Sequence, residues 1–272
     1  MRRVIAEIRE RVDRLEIPFN AEGIDPYGTS KKHLVLNYAF LGFFYRRYFS
    51  VRAHGLEHVP ARGRAMLVGN HSGGYAIDGA MVMVSLLLEK EPPRLAQGMA
   101  EKFIGKTPFL GTWVSRTGHL TGLPEHAERL LADERLLLVF PEGARGTAKL
   151  YPQRHSLVDF GTGFLRLALK MRAPIIPFGF VGGGEALPTI VNLYTLGRLV
   201  GVPYLPVTPY LAPIPLPAHL EVHYGEPMRF DGDGGEEDEA IVDRVEDVKA
   251  RIAALIERGR ATRRERLGLV GP

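Results

Sequence analysis

The run Gly69-Asn70-His71-Ser72-Gly73-Gly74-Tyr75-Ala76-Ile77-Asp78-Gly79 restricts what this chain can fold into more than any other stretch. Ahead of it, Ala65-Met66-Leu67-Val68 is apolar and of strand type, and residues 80–88 behind it are apolar enough for a buried helix. The glycines between them mark a tight strand-to-helix turn. Glycine reaches positive φ at little cost, so Gly73 and Gly74 let the chain fold back and bring Asp78 within reach of the His71 ring. An imidazole held by a carboxylate keeps one tautomer and can take a proton from a hydroxyl, help worth roughly 10²–10⁴ in rate. The same residues also read as an N-cap Asn or Asp beside a loop histidine, and the stretch alone leaves both readings open.

A second stretch, Val139-Phe140-Pro141-Glu142-Gly143-Ala144-Arg145-Gly146, predicts a buried strand (136–140) that opens into a glycine-flanked turn holding one acid and one base. Strand ends of this kind are where open α/β sheets place ligands. Arg145 suits bidentate bonds to a phosphate or carboxylate, and Glu142 can accept from hydroxyls or steady the arginine. A local Glu-Arg ion pair in a plain turn is the other reading.

Strand-type and helix-type segments alternate along much of the chain, which argues for a sheet covered by helices. Residues 2–16 place Val4, Ile5, Ile8, Val12 and Leu15 on one face and predict an amphipathic helix ended by Pro18. Residues 33–48 carry Tyr38, Phe40, Phe43, Phe44, Tyr45 and Tyr48 and close on Arg46-Arg47, which suits either a helix in the headgroup region of a membrane or a helix packed on the core. Strands are expected at 51–55, 65–68, 95–99, 136–140, 174–181 and 220–224, and helices at 80–88, 124–133, 160–171 and 236–258, with 102–117 mixed. Residues 260–272 read as a loose basic tail. No linker divides the chain, so residues 51–272 are expected to form one domain behind an N-terminal helical region, 1–50.

Three motifs together carry a resemblance. Asn70-His71 with Asp78, Phe140-Pro141-Glu142-Gly143-Ala144-Arg145, and Ala173-Pro174-Ile175-Ile176-Pro177 stand in the order and rough spacing of the glycerolipid acyltransferase family, the enzymes like 1-acylglycerol-3-phosphate acyltransferase. The similarity covers about 51–227. It implies a mixed, largely parallel sheet flanked by helices, and transfer of a fatty acyl group to a lysophospholipid or other glycerolipid hydroxyl in phospholipid biosynthesis. The donor it implies is an acyl thioester, acyl-CoA or acyl carrier protein, with no further cofactor and no metal. By position, His71 is then the general base and Asp78 its orienting partner. Glu142, Gly143 and Arg145 bind the acceptor, and 174–177 support the donor site. Two departures stand out. The family pattern is His-x4-Asp, whereas Ala76 occupies that position here and Asp78 lies two residues on. The family's second block ends in an arginine that meets the acceptor phosphate, and 118–125 offers none, so Arg116, Lys102 or Lys149 is expected to substitute, or the acceptor carries no phosphate. A lipid-binding protein without turnover, or a hydrolase using water at the same histidine, are the rival readings.

Composition narrows the chemistry. With no cysteine, a disulfide framework, a thiolate zinc site and a cysteine nucleophile are all excluded. His119 and His126 lack the neighbours that zinc needs. The charge is +4 and the sequence pI about 9.3, which allows basic patches for an anionic membrane or a phosphorylated substrate; composition does not choose between these and nucleic acid, and the family resemblance implies no nucleic acid. The N-terminus lacks a signal-peptide core, and 199–220 holds six prolines, so neither export nor a membrane span is expected. The expected location is peripheral, on the cytoplasmic face of a membrane. The proline-rich 199–220 reads as a loop that touches lipid or walls an acyl tunnel, or as a strap over the core. Gly105-Lys106-Thr107 lacks the earlier glycine of a P-loop, and Gly182-Gly183-Gly184 lacks the third small residue of a dinucleotide fingerprint.

Overall fold

Strand periodicity sets the layering. The computed structural model describes residues 2–72, 77–100, 109–199, 201–212 and 214–269. Among these the order is α1 (Arg2–Asp13), α2 (Lys31–Phe43), β1 (Arg52–His54), β2 (Ala65–Gly69), α3 (Ile77–Leu88), β3 (Ala96–Ala100), α4 (Leu110–Arg116), β4 (Leu120–Thr121), α5 (Pro124–Ala132), β5 (Leu136–Val139), α6 (Ala144–Thr147), α7 (Gly163–Lys170), β6 (Ile175–Val181), α8 (Gly183–Ala186), β7 (Val191–Leu193), α9 (Tyr194–Leu199), β8 (Leu205–Val207), β9 (Glu221–Tyr224) and α10 (Asp238–Arg266). Side chains alternate along a strand, so in β2 Ala65 and Leu67 join one core cluster while Met66 and Val68 join the other. In β5, Leu136 and Leu138 part from Leu137 in the same way. Both faces are apolar, and both are covered: α1, α2 and α3 on one side, α5, α7 and α10 on the other.

The main sheet runs β1-β9-β6-β2-β5-β3-β4, and every neighbouring pair is parallel except β6 with β9. This is the mixed, largely parallel sheet the resemblance implied. β7 and β8 form a separate antiparallel pair.

Three local expectations change. The arginine-rich end is helical rather than loose: α10 continues to Arg266 because Arg263 donates to the His219 carbonyl and pairs with Glu185, while Arg266 pairs with Glu221 and donates to the Ser50 carbonyl. Cations in the last turn also suit the helix dipole. The aromatic segment divides its side chains: Tyr38, Tyr45 and Phe49 are core residues, whereas Phe40 and Phe43 stay exposed. The helix turns π-helical at Phe44–Tyr48. Within 199–220, β8 pairs with β7 and the Leu216 N–H donates to the Ala186 carbonyl, yet Leu211 and Ile214 are exposed.

Candidate active site

β2 and β5 are neighbours in a register that sets Val68 opposite Val139. Beyond their carboxyl ends, His71 and Glu142 each stand three residues past that pair. The His71 N–H donates to Glu142 Oε1 at 2.9 Å. Glu142 Oε2 accepts from the Val158 N–H at 2.9 Å and from Lys149 Nζ at 2.5 Å. Lys149 Nζ also donates to the His71 carbonyl at 2.7 Å. A buried ion pair therefore holds both backbone polar groups of His71. Burial draws the Lys149 ammonium below its ordinary value, and the Glu142 and Asp78 charges push it part of the way back.

The ring is held separately. His71 Nδ1 lies 3.1 Å from each carboxylate oxygen of Asp78, a fully buried residue in the first turn of α3. Asp78 accepts further from the Ser72 N–H at 2.9 Å and the Gly79 N–H at 2.7 Å. Burial pushes the Asp78 carboxyl up, but the His71 ring and these two N–H groups outweigh it and hold the carboxyl below its ordinary value. An ionised carboxylate against Nδ1 requires the N–H there, which leaves the lone pair on Nε2. Phe140 stacks flat on the ring, with centroids 3.8 Å apart and planes 9° apart, so the imidazole has little freedom to turn. The arrangement can take a proton at Nε2 and stabilise the imidazolium that results.

The turns that carry these groups approach one another closely. A Cβ on Gly146 would lie 2.7 Å from Glu142 Cβ and 2.8 Å from His71 Cβ, and one on Gly183 would lie 1.9 Å from Ser72 Oγ. Asn70 extends the sheet past the end of β2, its side chain donating to the Phe180 carbonyl at 3.0 Å and accepting the Phe180 N–H at 2.8 Å.

Several expected contacts are replaced by others. Both oxygens of Glu142 are engaged inside the protein, with His71, Val158 and Lys149 rather than with Arg145. Lys149 is likewise buried, so its ammonium is not free for a phosphate. Arg145 is exposed and donates to the Asp159 carbonyl at 3.0 Å. Gly143 carries the turn with φ 56°. Arg116, at the end of α4, donates to the Gly28 carbonyl at 3.3 Å. Gly73 to Ala76 and Lys102 lie outside the described residues. Two cavities of about 260 and 530 Å³ lie elsewhere, one between Leu15, Pro93 and Arg135, the other between Leu157, Lys249 and Ala253. Sequence reasoning missed the scaffolding role of Lys149 and the steric role of Gly146 and Gly183. The flanking glycine in Glu142-Gly143-Ala144-Arg145-Gly146 was the one available signal.

Residues 50–181 match the model of the Acyltransferase family. An uncharacterised protein of Mycobacterium tuberculosis (strain ATCC 25618 / H37Rv) is 34% identical over 213 residues, covering 76% of this chain and 58% of that protein. The DGAT1/2-independent enzyme synthesizing storage lipids of Gallus gallus is 26% identical over 180 residues, 65% of this chain and 52% of that protein. The chain thus spans little more than half the length of these relatives. In fold, the chain is similar to the 1-acyl-sn-glycerophosphate (LPA) acyltransferase PlsC of Thermotoga maritima, with a TM-score of 0.56 at 16% identity over 84% of this chain and 81% of that one.

Proposed function

We propose that this chain, whose residues 50–181 match the Acyltransferase family model, transfers a fatty acyl group from a thioester donor to the hydroxyl of a glycerolipid or lysophospholipid. His71 Nε2 takes the hydroxyl proton as the oxygen attacks the thioester carbonyl carbon. The carbon–sulfur bond then breaks, and the thiolate leaves with a proton returned from the imidazolium. Asp78 keeps the ring in the right tautomer throughout. The donor is acyl-CoA or an acyl carrier protein, and no covalent acyl-enzyme forms.

The observation that carries this reading is the 3.1 Å pairing of His71 with Asp78 at the end of β2, retained across a spacing two residues longer than the family pattern. An intact dyad speaks against a binding protein that has lost turnover. The test is incubation with acyl-CoA and a panel of lysolipids. Thiol released only with acceptor, and lost by about 10²-fold or more in His71→Ala, supports transfer. Thiol released without acceptor means a hydrolase, and undiminished release in His71→Ala ends the proposal.

No helix among the described residues is long and apolar enough to cross a membrane. We propose instead that α2 rests on the cytoplasmic face of a membrane through exposed Leu36, Phe40 and Phe43, with Arg47 toward anionic headgroups while Arg46 is paired with Glu7 of α1. Co-sedimentation with anionic vesicles checks this: binding should fall in the double variant Phe40→Ser, Phe43→Ser, and equal binding rules out this surface.

A further inference from the structure

At the sheet edge, β1 and β9 run parallel in a register that sets Arg52 opposite Glu221 and His54 opposite His223. Residues two apart on a strand share a face, so His54, Glu221 and His223 project to the same side. Their donor atoms all lie within 4.8 Å of one another. The two imidazoles stack, with centroids 4.4 Å and planes 16° apart, and His54 Nε2 meets Glu221 Oε2 at 2.9 Å. Glu221 is fully buried, and Arg266 of α10 takes its other oxygen at 3.1 Å. His223 is 4% exposed, and its Nε2 has no hydrogen-bond partner among the described residues. A buried ring nitrogen left without a partner is costly, and neither the sheet nor the proposed acyl transfer accounts for it.

We propose that His54, Glu221 and His223 form a binding site for a zinc-class divalent ion. Two imidazole nitrogens and one carboxylate oxygen make a common three-ligand set for zinc, with bonds of about 2.0–2.2 Å and a fourth position left for water. In tetrahedral geometry such bonds place donors about 3.4 Å apart, within reach of small rotations of these side chains. Donor type favours the zinc class over magnesium or calcium, because a hard ion takes oxygens and this cluster offers one carboxylate, already shared with Arg266. Arg266 anchors the oxygen the ion does not use, the kind of outer contact that orients a ligating carboxylate. The half-exposed His54 gives the entry path. On binding, the ion replaces the His54–Glu221 hydrogen bond, and the proton in it moves to Nδ1 or to solvent. The site ties β1 and β9 together beneath α10 and is separate from the His71 dyad.

The test uses the full chain without a histidine tag, stripped with a chelator and titrated with Zn²⁺ by calorimetry, and with Co²⁺ followed by its visible absorption. One equivalent of Zn²⁺ should bind, and Co²⁺ should give the intense bands of a four-coordinate nitrogen and oxygen site. His54→Ala, on the more exposed side, should weaken binding by about tenfold or more, and His223→Gln should do the same with its fold checked by circular dichroism. Absence of saturable binding by wild type overturns the proposal, as does binding unchanged in His54→Ala, which would place the ion at another histidine.

Discussion

The backbone N–H of His71 donates to the carboxylate of Glu142, a residue that stands at the same distance beyond a paired strand as His71 itself. Glu142 therefore positions the histidine through its main chain, while Asp78 positions it through its ring. Two acids with different partners do two different jobs, and the variants that follow separate them.

Asp78→Asn is isosteric, but Ser72 and Gly79 donate to different oxygens of the carboxylate, so the single amide oxygen keeps one of the two bonds, and circular dichroism checks that the variant is folded. An amide does not stabilise an imidazolium, and it can present its NH₂ to Nδ1 and reverse the tautomer. The turnover rate should fall by about 10²-fold or more with little change in acceptor KM. Steady-state thiol-release kinetics decide it, and an unchanged rate would assign the ring to another partner.

Glu142→Gln and Lys149→Met should each act on stability. Removing one member of a buried pair strands the other charge, a loss of about 3–5 kcal/mol. Chemical denaturation should show a lower midpoint for either single variant and partial recovery in the double. If Glu142 bound the acceptor directly, its variant would instead raise acceptor KM at unchanged stability.

Gly146→Ala puts a methyl within 2.7 Å of Glu142 Cβ and 2.8 Å of His71 Cβ, neither of which is the free end of a flexible chain. The turn must move away from β2, and His71 moves with it. Activity should drop by about 10²-fold, since displacements near 1 Å cost that much. Wild-type turnover in this variant would show that the two turns are not packed as described.

Acid should expose Glu185. Burial pushes its carboxyl up, but the His155 hydrogen bond and the Arg263 charge outweigh this and draw it from 4.5 down to about 2. A carboxyl depressed in the folded state contributes stability in full above its unfolded value, and that contribution is lost as pH falls through 4.5 toward 2. Wild type should thus be more stable than Glu185→Gln at about pH 7, with the difference shrinking at about pH 3. Urea midpoints at the two pH values measure it, and a constant difference would assign the stabilisation to something other than this charge.

Local information was enough for much of the fold. Apolar runs at Ala65-Met66-Leu67-Val68 and at 136–140 read as strands because burial on both faces leaves no polar position. The core side of α10 was legible from Ile241, Val245, Val248, Ile252 and Leu255 because helical periodicity is a property of neighbours in sequence. The dyad was legible for the same reason, His71 and Asp78 being near neighbours in sequence. The Glu142–Lys149 brace around His71 was not. It exists because the β2–β5 register brings position 142 beside position 71, whereas the sequence offered Lys149 as a cation for the acceptor phosphate. The arginines at the end of α10 misled in the same way, since Glu185 and Glu221, which capture them, are remote in sequence. So the chain alone determined most of the strands and helices and the pairing of His71 with Asp78. Only the tertiary structure decided which charges are buried together, because a charge survives burial only when a partner meets it, and strand register chooses that partner.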